Sequence, residues 1–332
     1  MNRFLVGFGA ALAVALGGWA GADPGPAKPP AAARERYVGL REVASAHRLA
    51  VRGPRDGRLE LVRQDTRLAF ETEGRPFRYN DLLLWLNVPI TASRGRWMMA
   101  EADYQKVIQP LLNRAPALRG QRCRVIVLDP GHGGQDRGAR GARGVEEKGV
   151  VLDIARRARV HLANAGFKVY LTRDGDRFVP LDERVRKAAE WQADLFISIH
   201  LNAAASQTAK GLETYTLALP GYPPTSAESD TALARVAYPG NRFDIVNGLL
   251  GYYLHKALVD KLRPEDRGLR RSRFVVLREA PCPAVLVECG FLSCAEEEAR
   301  MLDSAHREAV GLALAKGLLD FNAAILQAQA EK

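Results

Sequence analysis

In the last two thirds of the chain, short apolar runs alternate with segments of helical periodicity, and this alternation limits the possible folds. Val125–Leu128 is a continuous apolar run of strand length. Apolar residues then recur at helical spacing at Val151, Ile154, Ala158 and Leu162. Strands that are apolar on both faces are typical of parallel sheets covered on both sides. The sequence therefore predicts an α/β fold with a mostly parallel central sheet flanked by helices.

The same alternation continues almost to the end of the chain. We expect further strands, in chain order, at 168–172, 195–199, 212–217, 274–277 and 284–287. Further helices are expected at 183–192 and from about residue 295. Between 219 and 254, an insertion opens with Pro-Gly-Tyr-Pro-Pro, which predicts a surface loop followed by a helix. The predicted α/β domain spans residues 122–325.

Residues 35–118 follow another pattern and are predicted to form a small accessory α+β domain. Val38–Ala44 starts like a short helix, 59–62 and 68–71 alternate like strands, and a second helical stretch begins near Ala100. This segment resembles the copper amine oxidase N-terminal-like domains of secreted bacterial proteins, although it carries no set of copper ligands. We interpret it as an accessory or wall-binding module, with a structural prodomain as the alternative.

The first 34 residues predict export. A cationic start at Met1–Arg3, an apolar run to Ala20 and a small-residue cleavage site make residues 1–22 typical of a secretory signal peptide. An uncleaved anchor is the alternative, but a Pro/Ala-rich linker at 23–34 follows instead of a folded element. We therefore expect an exported protein, periplasmic or associated with the cell wall, with no stable transmembrane span after processing.

Charge and cysteine content agree with this location without identifying a partner. The net charge of +10 suits an anionic surrounding such as a cell wall, but a basic chain selects no partner by itself, and we expect no nucleic acid. An exported protein meets conditions that permit disulfides. Three pairings are open to the four cysteines, which are Cys123, Cys282, Cys289 and Cys294.

Residues able to bind a metal follow the predicted strands at one edge of the sheet. His132 stands in a Gly-rich loop after the first strand, while His200 and Glu288 end two later strands. Glu146 and Glu147 begin the first helix and point to the same edge. Two histidines and one glutamate form a donor set that holds catalytic zinc, and a further carboxylate near the attacking water can act as general base.

Each of these residues also has a structural interpretation. The loop around His132 suggests a phosphate cradle, but no Gly-Lys-Ser/Thr follows it. Glu147 would complement the helix dipole, and Glu288 would pair with a buried arginine. Their joint occurrence at one sheet edge favours the metal site over three separate explanations.

The motifs that carry these residues resemble the zinc-dependent N-acetylmuramoyl-L-alanine amidase family, type 3. In chain order they are VLDPGHGG at 127–134, EK at 147–148, LTRD at 171–174, ADLFISIHLN at 193–202, GLETY at 211–215 and VLVECGFLS at 285–293. The resemblance implies that His132, Glu147 and His200 hold one Zn²⁺. It implies that Glu288 is the catalytic glutamate, and it prefers Glu147 over Glu146 because the family's ligand directly precedes a lysine.

The resemblance also implies the activity of a peptidoglycan hydrolase. Its substrate bond would be the amide between N-acetylmuramic acid and the L-alanine of the stem peptide. Two rival functions are a catalytically silent wall-binding or regulatory protein of the same fold and a zinc exopeptidase that acts on free peptides. The silent protein would be expected to lack one of the four residues, all of which are present, and the exopeptidase would need a second metal cluster.

The chain departs from the family pattern at two places. Cys294 replaces the usual asparagine after Phe-Leu-Ser, and the insertion at 220–251 is longer than the minimal pattern. In some relatives, a helix inserted here blocks the active site until a partner protein releases it. Glu228, Asp230 and Asp244 are therefore candidates to reach the zinc, and an activator protein is an expected partner if the insertion is autoinhibitory.

Overall fold

The computed structural model describes residues 35–226 and 236–331. The predicted signal peptide at 1–22 and the linker at 23–34 lie outside the described residues. The strands are β1 (Tyr37–Gly39), β2 (Ala50–Arg55), β3 (Arg58–Arg63), β4 (Thr66–Glu71), β5 (Pro76–Tyr79), β6 (Leu82–Trp85), β7 (Thr91–Ser93), β8 (Arg96–Ala100), β9 (Val125–Pro130), β10 (Lys168–Leu171), β11 (Leu195–Asn202), β12 (Leu212–Leu217), β13 (Asp266–Ser272) and β14 (Ala284–Phe291).

Long helices cover the sheet, and short helical turns connect the smaller elements. The helices are α1 (Leu40–Ala46), α2 (Glu101–Asp103), α3 (Gln109–Leu112), α4 (Ala115–Leu118), α5 (Glu147–Asn164), α6 (Leu181–Glu190), α7 (Asp244–Leu262), α8 (Val275–Arg278), α9 (Ala295–Leu302) and α10 (Ser304–Ala330). A π-helical turn at Tyr104–Ile108 joins α2 to α3, and a 3₁₀ turn at Pro239–Phe243 precedes α7.

The central sheet has the order β10-β9-β11-β14-β12-β13-β6-β5-β4-β3-β2. The neighbours from β10 to β14 pair in parallel, β12 is antiparallel to β14, and β13 is again parallel to β12. Helices α5, α7 and α10 contribute to the apolar core on one face, while α6 and α8 pack on the other. The predicted α/β class, a mostly parallel sheet flanked by helices, is confirmed.

One predicted strand is wrong. Residues 275–278 form helix α8, in which Val276 and Leu277 are buried, and the strand at this position in the chain is β13, which begins at Asp266. The prediction failed because β13 contains two consecutive arginines where an apolar pattern was required. Arg271 is nevertheless buried, and Arg270 is ion-paired. The other strands predicted from residue 125 onward are confirmed, although β11 and β14 continue three and four residues beyond their predicted ends.

The segment at 35–118 continues the central sheet. Strands β2 to β6 form an antiparallel meander, and Leu84 of β6 is in register with Leu269 of β13. The Asp266 carboxylate accepts a hydrogen bond from the Leu83 backbone N–H at 2.8 Å. Strands β1, β8 and β7 form a separate three-stranded sheet. The assignment of 35–118 as an accessory domain stays a prediction, and strand pairing joins it to the α/β part.

Helix α10 is, within the described ranges, long and apolar enough to cross a membrane by length and composition. Half of its most apolar window is buried inside the fold. It packs mainly against α5 and α7, and its buried residues include Leu314, Leu318 and Phe321. This position in the core accounts for the apolar residues that the helix carries.

The continuous sheet predicts that residues 35–118 and 122–325 unfold together. Leu84 is 1% exposed, so Leu84→Ala is expected to lower the free energy of unfolding by about 2–5 kcal/mol through the cavity it leaves. Scanning calorimetry should show one transition that moves to lower temperature as a whole. Leu326→Ala, at a residue that is 58% exposed, is the control and should change stability by less than about 0.5 kcal/mol. Two transitions, with only one of them shifted, would contradict the prediction.

Candidate metal centre

Three of the residues singled out from the sequence meet at the edge of the sheet. Nε2 of His132 lies 3.1 Å from Oε2 of Glu147, and Nδ1 of His200 lies 2.9 Å from Oε1 of the same carboxylate. The three ligand atoms lie within 4.8 Å of one another. Glu146 faces away from this cluster, toward Arg137 and Lys148.

The surroundings of the cluster orient its donors for a metal ion. Glu147 is buried, and its two oxygens also accept hydrogen bonds from the backbone N–H groups of Ala139 and Leu201, at 2.8 and 2.9 Å. Nδ1 of His132 lies 2.9 Å from a carboxylate oxygen of Asp136. Metal-binding histidines commonly use their second ring nitrogen in this way, which turns the first toward the ion. The donor set and its orientation fit zinc.

The charges at the cluster also favour a cation. Burial alone would raise the pKa of Glu147, but the hydrogen bonds and charges of His132 and His200 outweigh it and hold the pKa well below its usual range. For His132, burial lowers the pKa, but the hydrogen bonds and charges of Glu147 and Asp136 outweigh it and raise the pKa. The site therefore holds an ionised carboxylate, which is the form that binds a metal.

Two buried arginines shape the loop that carries His132. The loop turns sharply, because His132 itself adopts a left-handed conformation with φ of 59°. Arg184 donates a hydrogen bond to the His132 carbonyl at 2.7 Å, and Arg173 donates to the two carbonyls before it, at 3.0 and 2.7 Å. These bonds hold the histidine in a backbone conformation that it would rarely adopt alone.

A buried carboxylate anchors one of these arginines. Asp129, at the end of β9, lies 2.7 Å from Arg184 and accepts hydrogen bonds from the hydroxyls of Thr172 and Ser198 at 2.6 and 2.8 Å. Burial would raise the pKa of Asp129, but the charge of Arg184 and these hydrogen bonds lower it. Nothing in the sequence indicated that Asp129, Arg173 and Arg184 support the site, although the first two lie inside the motifs and Arg184 lies in the helix predicted at 183–192.

Glu288 lies beside the cluster on the neighbouring strand. It is in register with His200 across β11 and β14, so both side chains lie on the same face of the sheet. Its Oε2 is buried and has no hydrogen-bond partner in the part of the chain that the structure describes. Burial, followed by the negative charges of Glu147 and Glu213, raises the pKa of Glu288 well above its ordinary value. An unpartnered buried carboxyl beside a metal cluster is typical of a reacting group.

One of the three candidate acids in the insertion lies outside the candidate metal cluster. Asp244 begins α7, where it accepts a hydrogen bond from the Asn241 side chain at 2.9 Å. The metal-binding cluster found among the described residues does not include it. Glu228 and Asp230, the other two candidates, lie outside the described residues.

Comparison with known proteins shows which family contains the region around this site. The family described as N-acetylmuramoyl-L-alanine amidase matches residues 126–320. The chain belongs to this family. The matched region contains His132, Glu147, His200 and Glu288, whereas the segment at 35–118 lies outside it.

Individual relatives agree with the family match. The chain is 34% identical to N-acetylmuramoyl-L-alanine amidase AmiC of Escherichia coli O6:H1, over 66% of this chain and 58% of the relative. It is also 34% identical to AmiA of Escherichia coli K12, over 60% of this chain and 76% of the relative. The solved structure of the amidase AmiC2 of Nostoc punctiforme shares 31% identity and a TM-score of 0.50, covering 61% of this chain and 98% of that one. The chain thus spans little more than half the length of AmiC.

Close packing at Gly131 predicts a specific sensitivity of the metal site. A Cβ atom added at Gly131 would overlap the imidazole of His200, so Gly131→Ala must displace that ring. We expect zinc affinity to fall about 10–100-fold, as it does when a ligand loses its orientation. Competition with a chelating indicator measures the affinity.

Gly149→Ala is the matched control, because a Cβ at Gly149 in helix α5 meets no other atom within 4 Å. This variant should bind zinc like the parent and gain a little helix stability. Parental zinc affinity in Gly131→Ala would show that His200 does not belong to the metal site in the observed position.

Proposed function

We propose that the protein is a zinc-dependent N-acetylmuramoyl-L-alanine amidase that acts on peptidoglycan. The bond it hydrolyses joins the lactyl group of N-acetylmuramic acid to the L-alanine of the stem peptide. The observation that carries the proposal is the cluster of His132, Glu147 and His200 beside the unpartnered carboxyl of Glu288. Family membership supports the choice of substrate, since the relatives are named for this activity.

His132, Glu147 and His200 would hold the zinc ion. When bound, zinc would activate water for attack and polarise the carbonyl of the scissile amide. Asp136 keeps the His132 ring in place, and two backbone N–H groups keep the Glu147 carboxylate in place. The protein therefore supplies a ligand set whose orientation is fixed before substrate arrives.

Glu288 would move the proton. Its carboxylate takes a proton from the attacking water and passes it to the amine of the departing L-alanine. Its buried Oε2 has no hydrogen-bond partner among the described residues, so accepting this proton breaks no existing hydrogen bond. No arginine pairs with it in the described part of the chain, which removes the structural interpretation considered for this residue.

The proposal extends to location and to the remaining segments. Residues 1–22 act as a signal peptide that exports the chain to the periplasm or the cell wall, where peptidoglycan is accessible. Residues 35–118 act as an accessory module. The net charge of +10 supports a wall location, since it favours contact with anionic wall polymers.

Digestion of purified muropeptides tests the activity and the metal together. The expected products are peptides with a free N-terminal alanine and glycans with an intact lactyl group, identified by mass spectrometry. A chelator should stop their release, and added zinc should restore it. Products cut at any other bond would contradict the proposal.

Two variants separate proton transfer from metal binding in this assay. Glu288→Gln should keep its zinc and lower kcat by about 10²–10⁴-fold, because it removes the general base. His200→Ala should lose both zinc and activity. Glu279→Gln, at an exposed glutamate, is the matched control and should behave like the parent. Stem-peptide release by Glu288→Gln at the parental rate would refute the assigned role.

Control by the insertion at 220–251 is a separate part of the proposal. If this insertion restrains the site, deleting residues 228–235 and closing the gap with a short Gly-Ser link should raise wall-lytic activity several-fold. Ending the deletion before Tyr238 preserves the hydrogen bond from its backbone N–H to Asn241 ahead of α7. Unchanged activity would exclude autoinhibition and the need for an activator protein.

A further inference from the structure

One face of the sheet carries a row of polar residues that leads away from the metal cluster. His200 is in register with Glu288, Glu288 with Glu213, and Glu213 with Gly268. Residues in register on neighbouring strands lie on the same face, so these four positions form one line across β11, β14, β12 and β13. Strands lie about 4.8 Å apart, which places the end of the line about 14 Å from His200.

Glu213 holds two arginines in this row. It is 2% exposed, and its Oε1 accepts hydrogen bonds from Nε of Arg267 at 2.8 Å and from Nη1 of Arg270 at 2.6 Å. Its Oε2 accepts from the Tyr215 hydroxyl at 2.7 Å and from the Asn202 side chain at 3.0 Å. Burial would raise the pKa of Glu213, but these partners lower it, so the carboxylate is ionised. Both arginines are thereby fixed on the residue that is in register with Glu288.

Two arginines share the single carboxylate of Glu213. Glu213 accepts one N–H from each guanidinium, and a guanidinium offers five. Nε of Arg270 is buried and has no hydrogen-bond partner among the described residues. The Arg267 side chain is 31% exposed, and its other acidic neighbour, Glu265, is exposed and lies 3.8 Å away. A positive charge with unused donors therefore remains around Glu213, one strand away from Glu288.

Trp85, from the N-terminal segment, packs against this row of residues. The indole of Trp85 covers Gly268, where an added Cβ would lie 2.8 Å from the ring, and its Nε1 donates to the Arg267 carbonyl at 3.2 Å. The Arg270 guanidinium stacks over Trp85 at 4.8 Å, and that of Arg267 over Phe291 at 4.9 Å. Stacking on aromatic rings preorganises a guanidinium, which then loses less conformational entropy when it binds an anion.

We propose that Arg267 and Arg270 form a subsite for a carboxylate on the peptide part of the substrate, with Trp85 as a positioning residue. The proposal rests on the proposed amidase function. In that substrate the lactyl carboxyl of muramic acid is consumed in the scissile amide, so the free carboxylates belong to the peptide. Two fixed guanidiniums match a carboxylate, whereas a neutral sugar offers them no charge. The subsite would select the acidic peptide and orient its amide at Glu288.

A matched pair of substrates tests the subsite. Two muramoyl peptides are compared, identical except that the residue after L-alanine carries a free α-carboxylate in one and a carboxamide in the other. The parent enzyme, loaded with zinc, should show a kcat/KM at least about tenfold higher for the carboxylate, the effect expected of a hydrogen-bonded charge pair. Arg267→Gln should reduce this preference to less than about twofold, mainly through KM.

Three further variants separate recognition from folding. Arg267→Lys keeps the charge but loses the planar fork, so its preference should be intermediate. Trp85→Ala should weaken the preference while the zinc content stays at the parental level. Arg186→Gln removes an exposed arginine that pairs within α6, and it should keep the full preference. Thermal unfolding and zinc content are measured for every variant.

The possible outcomes distinguish the subsite from the amidase function. Equal cleavage of the two substrates by the parent would overturn the subsite and leave the amidase function standing. The same holds if Arg267→Gln and Arg267→Lys slow both substrates by one factor, which would assign Arg267 a structural role only. If the zinc-loaded parent cleaves neither substrate, the proposed function falls, and the subsite falls with it.

Discussion

The carboxylate of Asp129 is the point on which the geometry of the site depends. It lies at the end of β9 in the protein interior, where it meets Arg184 and two hydroxyl groups from neighbouring segments. Removing one partner from such a buried pair typically costs about 3–5 kcal/mol, because the other charge is left uncompensated. Arg184 in turn holds the carbonyl of His132 in a strained turn. Thus one interior ion pair joins the stability of the sheet to the position of a candidate metal ligand.

Glu147 and Glu288, both at this edge of the sheet, lie in opposite electrostatic surroundings. Glu147 is surrounded by donors, which lower its pKa and keep it ionised. Glu288 lies one strand away from His200, has a buried oxygen without a partner, and faces two other carboxylates. When the pKa values of two acids in one site are separated, the two acids can take different roles. The acid with the lower pKa stays ionised and can bind a cation, and the other can carry a proton.

Much of the α/β part could be predicted from the sequence, and the reasons are physical. Apolar strands are visible as short runs, and parallel strands bring His132, His200 and Glu288 to one edge whatever the details of the loops. Strand β13 could not be foreseen, because its arginines are accommodated by partners on other elements, such as Glu213 for Arg270. The supporting role of Arg184 could not be predicted either, because its partners Asp129 and His132 lie far from it in the sequence. The extension of the sheet through β6 was equally invisible, because a single register contact at Leu84 establishes it.

The junction between β6 and β13 makes the N-terminal segment part of the sheet itself. A module attached only by a tether can be gained, lost or exchanged between proteins without harm to its neighbour. Here, a chain without residues 35–118 would leave β13 as the edge strand of the sheet, uncovered where Leu269 now pairs with Leu84. Such edges invite pairing with other molecules and aggregation. A chain of this fold without the segment would need to protect that edge in another way, with charges, a bulge or a covering loop.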